Sequence, residues 1–313
     1  MAASNRVPDA FLRELQAMTG SGDTESTEKL ARDADAEGKV DSALLAYHAL
    51  ANMSPETGVL PLASLLWRQG NDPADAEYIL RLALRSYSAS RQRQAWSREL
   101  GDLIMAQKSW GEAERAYLEG LAGNSEDWVL HIGLGWLDYE RGDGLDEALE
   151  EFRTAVRLDP HQGEGYLAIG QALVREGRFA SADPWFEQAL ELNQGNRWWY
   201  IYRGDNARNA GNLSLALQIY EHALSLFPDF AHGYFEISWT YRLMDDPDRS
   251  IEAIERALAL SDVTDEWTLA RAGQIYEWVG DPEKAIHYYR IALISNPFNS
   301  VAGEGVSRLE AGP

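Results

Sequence analysis

Cysteine is absent from the sequence. Without it the chain can form no disulfide bond and no metal site built from thiolates. The six histidines are scattered, and none is paired with another at the spacing of a metal site. We therefore expect no bound metal and no cofactor, whereas the redox compartment stays open.

Positive charge is scarce. Lysine and arginine number 28 against 50 aspartate and glutamate residues, which gives a net charge of −22 and a pI near 4.6. Nucleic acids and anionic membrane surfaces are recognised by basic patches. The composition therefore argues against both as the main partner, and we expect no nucleic acid to bind.

Long apolar runs are also missing, so no segment of the sequence is expected to insert into a membrane. The first residues lack the basic and apolar regions of a signal peptide. If the chain is complete, these two features favour the cytoplasm.

Motifs of catalysis are absent as well. The sequence has no phosphate-binding loop, no nucleophile elbow and no zinc-protease helix. Gly133, Leu134 and Gly135 are followed by Trp136 and no strand is predicted before them, which excludes a dinucleotide loop. Carboxylates are abundant, but on an acidic helical chain they usually form a solvated face. We therefore expect that the protein is not an enzyme.

The sequence does contain an internal repeat, which is clearest over residues 164–228. Gly170 is followed 34 residues later by Gly204. Phe186 is followed at the same distance by Tyr220. A constant period of this length predicts an array of similar units with one continuous core.

The spacing of apolar residues shows what one unit contains. Tyr166, Ile169 and Leu173 recur at three- and four-residue steps, which predicts a helix with one buried face. Gly177 ends this helix, because glycine adopts a left-handed conformation without steric cost. Ser181 is predicted to cap a second helix. Each unit is therefore a first helix, a tight turn and a second helix, with small residues where the helices cross.

This pattern resembles the tetratricopeptide repeat family. The resemblance is carried by Tyr166, Ile169, Gly170, Leu173, Ala182, Phe186 and Ala189, and then by Tyr200, Gly204, Ala216, Tyr220, Ala223 and Pro228. It implies an all-α fold, namely a right-handed α-solenoid of stacked antiparallel helix pairs. It also implies that the first helices of the units line a concave inner surface.

The repeat register predicts the domain organisation. Its key glycine position is occupied in turn by Gly101, Gly135, Gly170, Gly204, Ser238 and Gly273. About eight repeats are expected, over 24–56, 57–93, 94–127, 128–162, 163–196, 197–230, 231–265 and 266–299. Residues 1–23 are expected to form an N-terminal arm or cap, with a polar loop over 19–24, and residues 300–313 a C-terminal capping helix. Pro184 is expected to make its helix start late rather than kink.

Large aromatic residues and arginines are frequent at the positions that the family places on the inner surface. Such residues supply rigid apolar area together with hydrogen-bonding groups. The candidate groove residues are Trp136, Tyr139, Arg175, Trp198, Tyr202, Arg208, Phe235, Trp239, Arg242, Trp267, Arg271 and Trp278. Alternatively, some of these tryptophans pack between neighbouring first helices and stiffen the array.

Two binding functions follow from this groove. In the first, the chain is a scaffold or adaptor that binds a protein or peptide partner, with the oligomeric state left open. The Lys, Asn and Arg clamp with which family members hold chaperone tails is not found, since Arg208 and Asn209 alone do not make it. In the alternative, the chain is a glycan-binding module of a larger bacterial assembly. Residues 281–312 resemble the repeat tails of bacterial O-antigen polymerases and ligases, and tryptophans suit sugar rings.

Overall fold

The computed structural model describes residues 7–68, 72–88, 90–142, 144–260 and 265–311. Over these residues the secondary structure is helical, without strands, and the chain divides into two compact units, Met1–Pro160 and His161–Pro313. Parts of the expected arm, repeats and capping helix, at residues 1–6, 69–71, 89, 143, 261–264 and 312–313, lie outside the described residues.

The first unit holds nine described helices. They are α1 (Asp9–Ser21), α2 (Thr24–Ala36), α3 (Val40–Met53), α4 (Pro55–Arg68), α5 (Pro73–Ser86), α6 (Arg93–Ala106), α7 (Trp110–Gly123), α8 (Trp128–Arg141) and α9 (Leu145–Leu158). From α2 onward they pack as antiparallel pairs, and α1 lies against α2 and α3. Trp96 and Tyr117 are completely buried at the centre of this packing.

The second unit also holds nine described helices. They are α10 (Gly163–Arg175), α11 (Phe179–Leu192), α12 (Arg197–Asn209), α13 (Leu213–Leu226), α14 (Ala231–Leu243), α15 (Pro247–Leu260), α16 (Glu266–Trp278), α17 (Pro282–Ser295) and α18 (Ser300–Glu310). The first eight form four stacked pairs, and α18 packs on α16 and α17. Within each unit the fold is therefore the all-α stack of helix pairs that the repeat predicts.

The turn between α12 and α13 shows how a pair is closed in three residues. Gly211 has φ +80°, as predicted for the glycine that ends each first helix. The next amide, that of Asn212, donates a hydrogen bond to the carbonyl of Ala207 at 2.9 Å. The Asn212 side chain then accepts from the amide of Leu215 at 3.2 Å and caps α13. One turn thus ends one helix and starts its partner.

Close crossing of the two helices in a pair depends on the small residues of the repeat. A Cβ atom on Gly135 would lie 2.5 Å from Cε1 of Phe152, and one on Gly170 would lie 2.9 Å from the Phe186 ring. Real Cβ atoms do not approach other atoms so closely, so these positions accept no side chain unless the ring or the backbone shifts. In these two pairs an aromatic ring of the second helix occupies the space that the glycine leaves.

Three second helices begin with the same Asp-Pro cap. Asp72, Asp246 and Asp281 each accept a hydrogen bond from the amide three residues later, at 3.1, 3.2 and 3.0 Å. The following proline stands at the first helical position, where its missing N–H is not needed.

The predicted start of α11 is wrong. The helix begins at Phe179, because the amides of Ser181 and Ala182 both donate to the carbonyl of Arg178, at 3.0 and 3.1 Å. Ser181 is therefore not the cap. Pro184 is the sixth residue of a regular helix, so it removes a single intrahelical hydrogen bond and does not delay the start.

The polar segment after α1 is also shorter than expected. The helix includes residues 19–21, where the Thr19 hydroxyl donates to the carbonyl of Leu15 at 2.9 Å. Gly22, with φ +73°, ends it. Among the helices of the described ranges, none combines the length and the apolar character that crossing a bilayer requires.

Candidate partner-binding face

The twelve predicted groove residues fall in both units. Trp136 and Tyr139 lie on α8 of the first unit, and the other ten lie in the second. The half-buried ring of Trp136 lies 5.0 Å from the Phe152 ring of the paired helix α9, and 6.2 Å from that of Tyr139. Trp136 thus contacts the second helix of its own pair, whereas the alternative expects tryptophans to pack between neighbouring first helices.

In the second unit the first helices α12, α14 and α16 lie side by side and carry a continuous row of rings. The centroid of Trp198 on α12 lies 4.9 Å from that of His232 on α14. His232 lies 5.9 Å from Phe235, and Phe235 lies 6.1 Å from Trp239. We call this row, together with Trp267 at the start of α16, the ring face.

Exposure differs strongly along the ring face. The indoles of Trp198 and Trp267 are 43% and 60% exposed, and Tyr202 is also exposed. Trp239 is half-buried. Phe235, which the sequence places on the open surface, is only 6% exposed, because it lies in an apolar cluster with Ala272 and Ile275 of α16. Phe235 therefore forms the floor of the face.

A pocket of about 510 Å³ opens where the three helices begin. Its walls come from the starts of α12, α14 and α16 and from the connections before α14 and α16. The lining residues are Arg197, Trp198, Asp229, Phe230, Ala231, His232, Phe235, Glu236, Asp265, Trp267, Thr268 and Arg271. Because both exposed indoles stand at this pocket, an apolar side chain of a partner could enter it between them.

Three arginines of the face stack on its rings. The guanidinium of Arg197 lies 4.7 Å from the centroid of Phe230. That of Arg271 lies 5.2 Å from both Phe235 and Trp239, and that of Arg242 lies 4.3 Å from Trp239. Stacking holds each planar group in place and leaves its N–H edges free for hydrogen bonds.

A fourth arginine, Arg208, is engaged in a different way, within a charged network beneath the ring face. Its guanidinium pairs with Glu236 of α14 and, at 2.7 Å, with Asp205 of α12. Asp205 also accepts a hydrogen bond from the Tyr220 hydroxyl at 2.7 Å, and Glu236 pairs with His232 at 3.1 Å. The network fixes His232 in the row of rings, so it positions part of the face.

The pKa values of the two carboxylates in this network are shifted in opposite directions. Burial, assisted by the charge of Glu236, raises the pKa of Asp205 to about 6. Burial opposes ionisation of Glu236 too, but the hydrogen bond from His232 and the charge of Arg208 outweigh it, and the pKa of Glu236 is lowered. At neutral pH both are ionised around one guanidinium.

The remaining predicted residues lie outside the pocket. Arg175 is exposed at the end of α10. Trp278 is half-buried at the end of α16, about 10 Å along the helix from Arg271. The structure therefore brings Trp198, Phe235, Trp267 and Arg271 around one pocket, and it leaves Arg175 and Trp278 apart from them.

Eight of the twelve residues that line the pocket were not predicted from the sequence, and four of them contribute rings or charges that the face uses. Arg197 is the first residue of its helix and Phe230 precedes its helix, so neither occupies an inner position of the repeat. His232 and Glu236 do occupy such positions, but they were not among the candidates. Their four-residue spacing on one helix was a usable signal, because it places the two side chains together. Over the residues described, no group of three or more histidines and carboxylates is arranged to hold a metal ion.

Comparison with known proteins shows which protein-family models match this chain. Two family models, each described as tetratricopeptide repeat, match residues 132–197 and 231–263. Both end before residue 264, so the likeness of the C-terminal repeats to O-antigen polymerase and ligase tails is not shown.

Curated relatives are similar over limited stretches. Protein O-mannosyl-transferase Tmtc1 of Drosophila melanogaster is 45% identical over 65 residues, which are 20% of this chain and 8% of that protein. The human mitochondrial import receptor subunit TOM70 is 22% identical over 149 residues, which are 48% of this chain and 19% of that protein. The chain therefore spans less than a fifth of the length of either relative.

A solved structure shares the fold over most of the chain. The crystal structure of a tetratricopeptide repeat protein from Parabacteroides merdae ATCC 43184 matches with a TM-score of 0.57 and 20% identity. The match covers 82% of this chain and 98% of that one. At this identity the match shows the fold, whereas the two matched models show that the chain contains tetratricopeptide repeats.

Proposed function

We propose that this chain is a non-enzymatic scaffold that binds a protein or peptide partner on the ring face of α12, α14 and α16. The observation that carries the proposal is the pair of exposed indoles, Trp198 and Trp267, at the rim of a pocket of about 510 Å³. Large aromatic side chains around a desolvated centre contribute most of the binding free energy in protein interfaces.

Two further features support a protein partner. The Phe235 floor and the half-buried Trp239 give the face an apolar centre, and the surrounding arginines give it a polar rim, as in protein interfaces. Among the relatives, TOM70 is named as an import receptor subunit, although this chain spans only 19% of its length.

Selection of peptides from a random display library tests the proposal. We expect the full chain to enrich peptides that share a motif, and the double variant Trp198→Ala/Trp267→Ala to lose at least tenfold in affinity for them. The control is Tyr78→Ala, which removes an exposed ring from α5 in the first unit. Enriched peptides that bind the double variant as tightly as the wild type would place the site elsewhere and refute the proposal.

If the partner were a glycan, a different experiment would detect it. Flat exposed indoles also stack on sugar rings, so titration with oligosaccharides would then change the tryptophan fluorescence saturably in the absence of any peptide. The proposal expects no such change, and it expects the selected peptides to change the fluorescence of the wild type but not of the double variant.

A further inference from the structure

We infer that the partner segment bound by the ring face is acidic, and that its carboxylates pair with the arginines stacked on the rings. The inference rests on the proposed function and adds the chemistry of the partner. It depends on the contacts that Arg197, Arg242 and Arg271 make in the structure.

Over the described residues, Arg197, Arg242 and Arg271 form no ion pair and no hydrogen bond, and each stacks on an aromatic ring. The charge of Arg242 also acts on Glu277, but that carboxylate is already paired with Arg308 at 2.6 Å. The three guanidinium groups therefore keep their N–H donors free for the acceptors of a partner.

Trp239 brings two of these charges together. Arg242 lies 4.3 Å and Arg271 lies 5.2 Å from its ring centroid, so two cations share one indole. The Nε of Arg242 is also buried without a hydrogen-bond acceptor. A carboxylate placed between the two groups would accept from both, would relieve their repulsion and would pair through the forked geometry that guanidinium favours.

Within the described part of the chain, the carboxylates that line the pocket form no ion pair with these three arginines. Glu236 is already paired with Arg208 and His232. Asp265 caps α16 by accepting from the amides of Trp267 and Thr268, at 3.2 and 3.4 Å. Asp229 also lines the pocket, on the exposed turn before α14. The unsatisfied Nε of Arg242 and the two guanidinium groups that share Trp239 still need an acceptor from outside the chain, and a carboxylate complements them better than a cation does.

Three synthetic peptides test the inference. The probe is a fluorescein-labelled, amidated twelve-residue peptide made of three repeats of Glu-Phe-Glu-Leu; its twins carry Gln or Lys in place of every Glu. We expect fluorescence anisotropy at physiological salt to show saturable binding of the Glu peptide to the full chain, at least tenfold tighter than that of either twin. Equal binding of the Glu and Gln peptides, or tighter binding of the Lys peptide, would overturn the inference.

Variants of the protein assign the effect to the ring face. Arg242→Gln/Arg271→Gln should weaken binding of the Glu peptide at least tenfold. The control Arg290→Gln, which removes an arginine paired with Glu310 on α17, should leave it within twofold. If circular dichroism shows that the double variant has lost helix, the single variant Arg271→Gln replaces it, with an expected loss of at least threefold. A loss no greater than that of the control would contradict the inference.

Different experimental outcomes would refute the inference and the proposed function. Library peptides that need Trp198 and Trp267 but contain no excess of Asp and Glu would refute the acidic partner and leave the scaffold intact. Loss of every peptide interaction would refute both.

Discussion

Ser238 and Ser250 exchange hydrogen bonds where α14 crosses α15. The hydroxyl of Ser238 donates to the carbonyl of Ser250 at 2.8 Å, and the hydroxyl of Ser250 donates to the carbonyl of Ser238 at 3.0 Å. Both residues are completely buried. In the neighbouring repeats the same two positions hold glycine and alanine, as in Gly204 and Ala216. The pair thus replaces close backbone contact with two satisfied polar groups.

A third residue explains why serine fits at position 238. Where the first helix has glycine, the second has an aromatic ring 16 or 17 residues later, as in Gly135 with Phe152. The repeat of Ser238 has Ile254 in that place, which is smaller and completely buried. The small residue on one helix and the large residue on the other therefore vary together, because they share one volume.

Exchanging this pair gives the first prediction. Ile254→Phe alone should destabilise the protein by about 1–3 kcal/mol, since the ring and the Ser238 side chain would compete for space. Adding Ser238→Gly should recover most of that loss, because it recreates the arrangement of Gly135 and Phe152. Urea unfolding followed by circular dichroism measures both effects. Additive losses in the double variant would show that the two positions do not share the volume.

A second prediction concerns the glycines themselves. Gly204→Ala should lower stability by about 1–3 kcal/mol, because the new methyl group overlaps the buried ring of Tyr220. Gly303→Ala is the matched control, since a Cβ there meets no atom within 4 Å in helix α18. It should instead raise stability by up to about 1 kcal/mol through helix propensity. Destabilisation of similar size by both substitutions would mean that the loss at Gly204 does not come from the overlap with Tyr220.

The fold was predictable from the sequence because it depends on short-range regularities. Glycines such as Gly177 recur at a constant period, and each needs one particular backbone conformation, with φ +70° in this case. Helix starts were harder to predict. Ser181 has the chemistry of a cap, but the chain becomes helical at Phe179. The packing of the helix pair decides which of these two residues begins the helix.

The candidate site was predictable only in part. The repeat register predicts the direction in which a side chain points, and Trp198 and Trp267, which it predicts to point into the groove, are exposed. It does not give the distance to the next helix, which decides that Phe235 is buried against Ile275. Arg197 and Phe230 lie at the edge of the repeat pattern, so periodicity carries no information about them.

A third prediction distinguishes a ring-face residue that stabilises the fold from one that binds the partner. Phe235→Ala should cost about 3–5 kcal/mol of stability, because it empties a buried volume between α14 and α16. Trp267→Ala should change stability by less than about 1 kcal/mol, because most of the indole is already in water, but it should weaken binding of the selected peptides. Unfolding curves and binding isotherms of the two variants provide the comparison. A large loss of stability in Trp267→Ala would make that ring structural.

The last prediction follows from the raised pKa of Asp205. Its carboxylate faces Arg208 on α12, Tyr220 on α13, and His232 and Glu236 on α14. Burial raises its pKa from the usual 3.8 to about 6, with the charge of Glu236 as the next cause. Between these two pH values the folded protein keeps a proton that the unfolded chain has already released. The contribution of Asp205 to stability is therefore fully present below pH 3.8 and is lost as the pH rises through 6.

Asp205→Asn isolates this contribution, because the amide stays neutral at every pH and can still accept from Tyr220. Urea unfolding at intervals from pH 4 to pH 7.5 gives the free energy of unfolding of both proteins. The value for the wild type minus that for the variant should fall steadily up to about pH 6.5 and then become constant. The control is Asp229→Asn, on the turn before α14. It shows how the free energy of unfolding changes with pH when one surface charge is removed. A difference that grows with pH would mean that Arg208 stabilises the ionised carboxylate more than burial destabilises it.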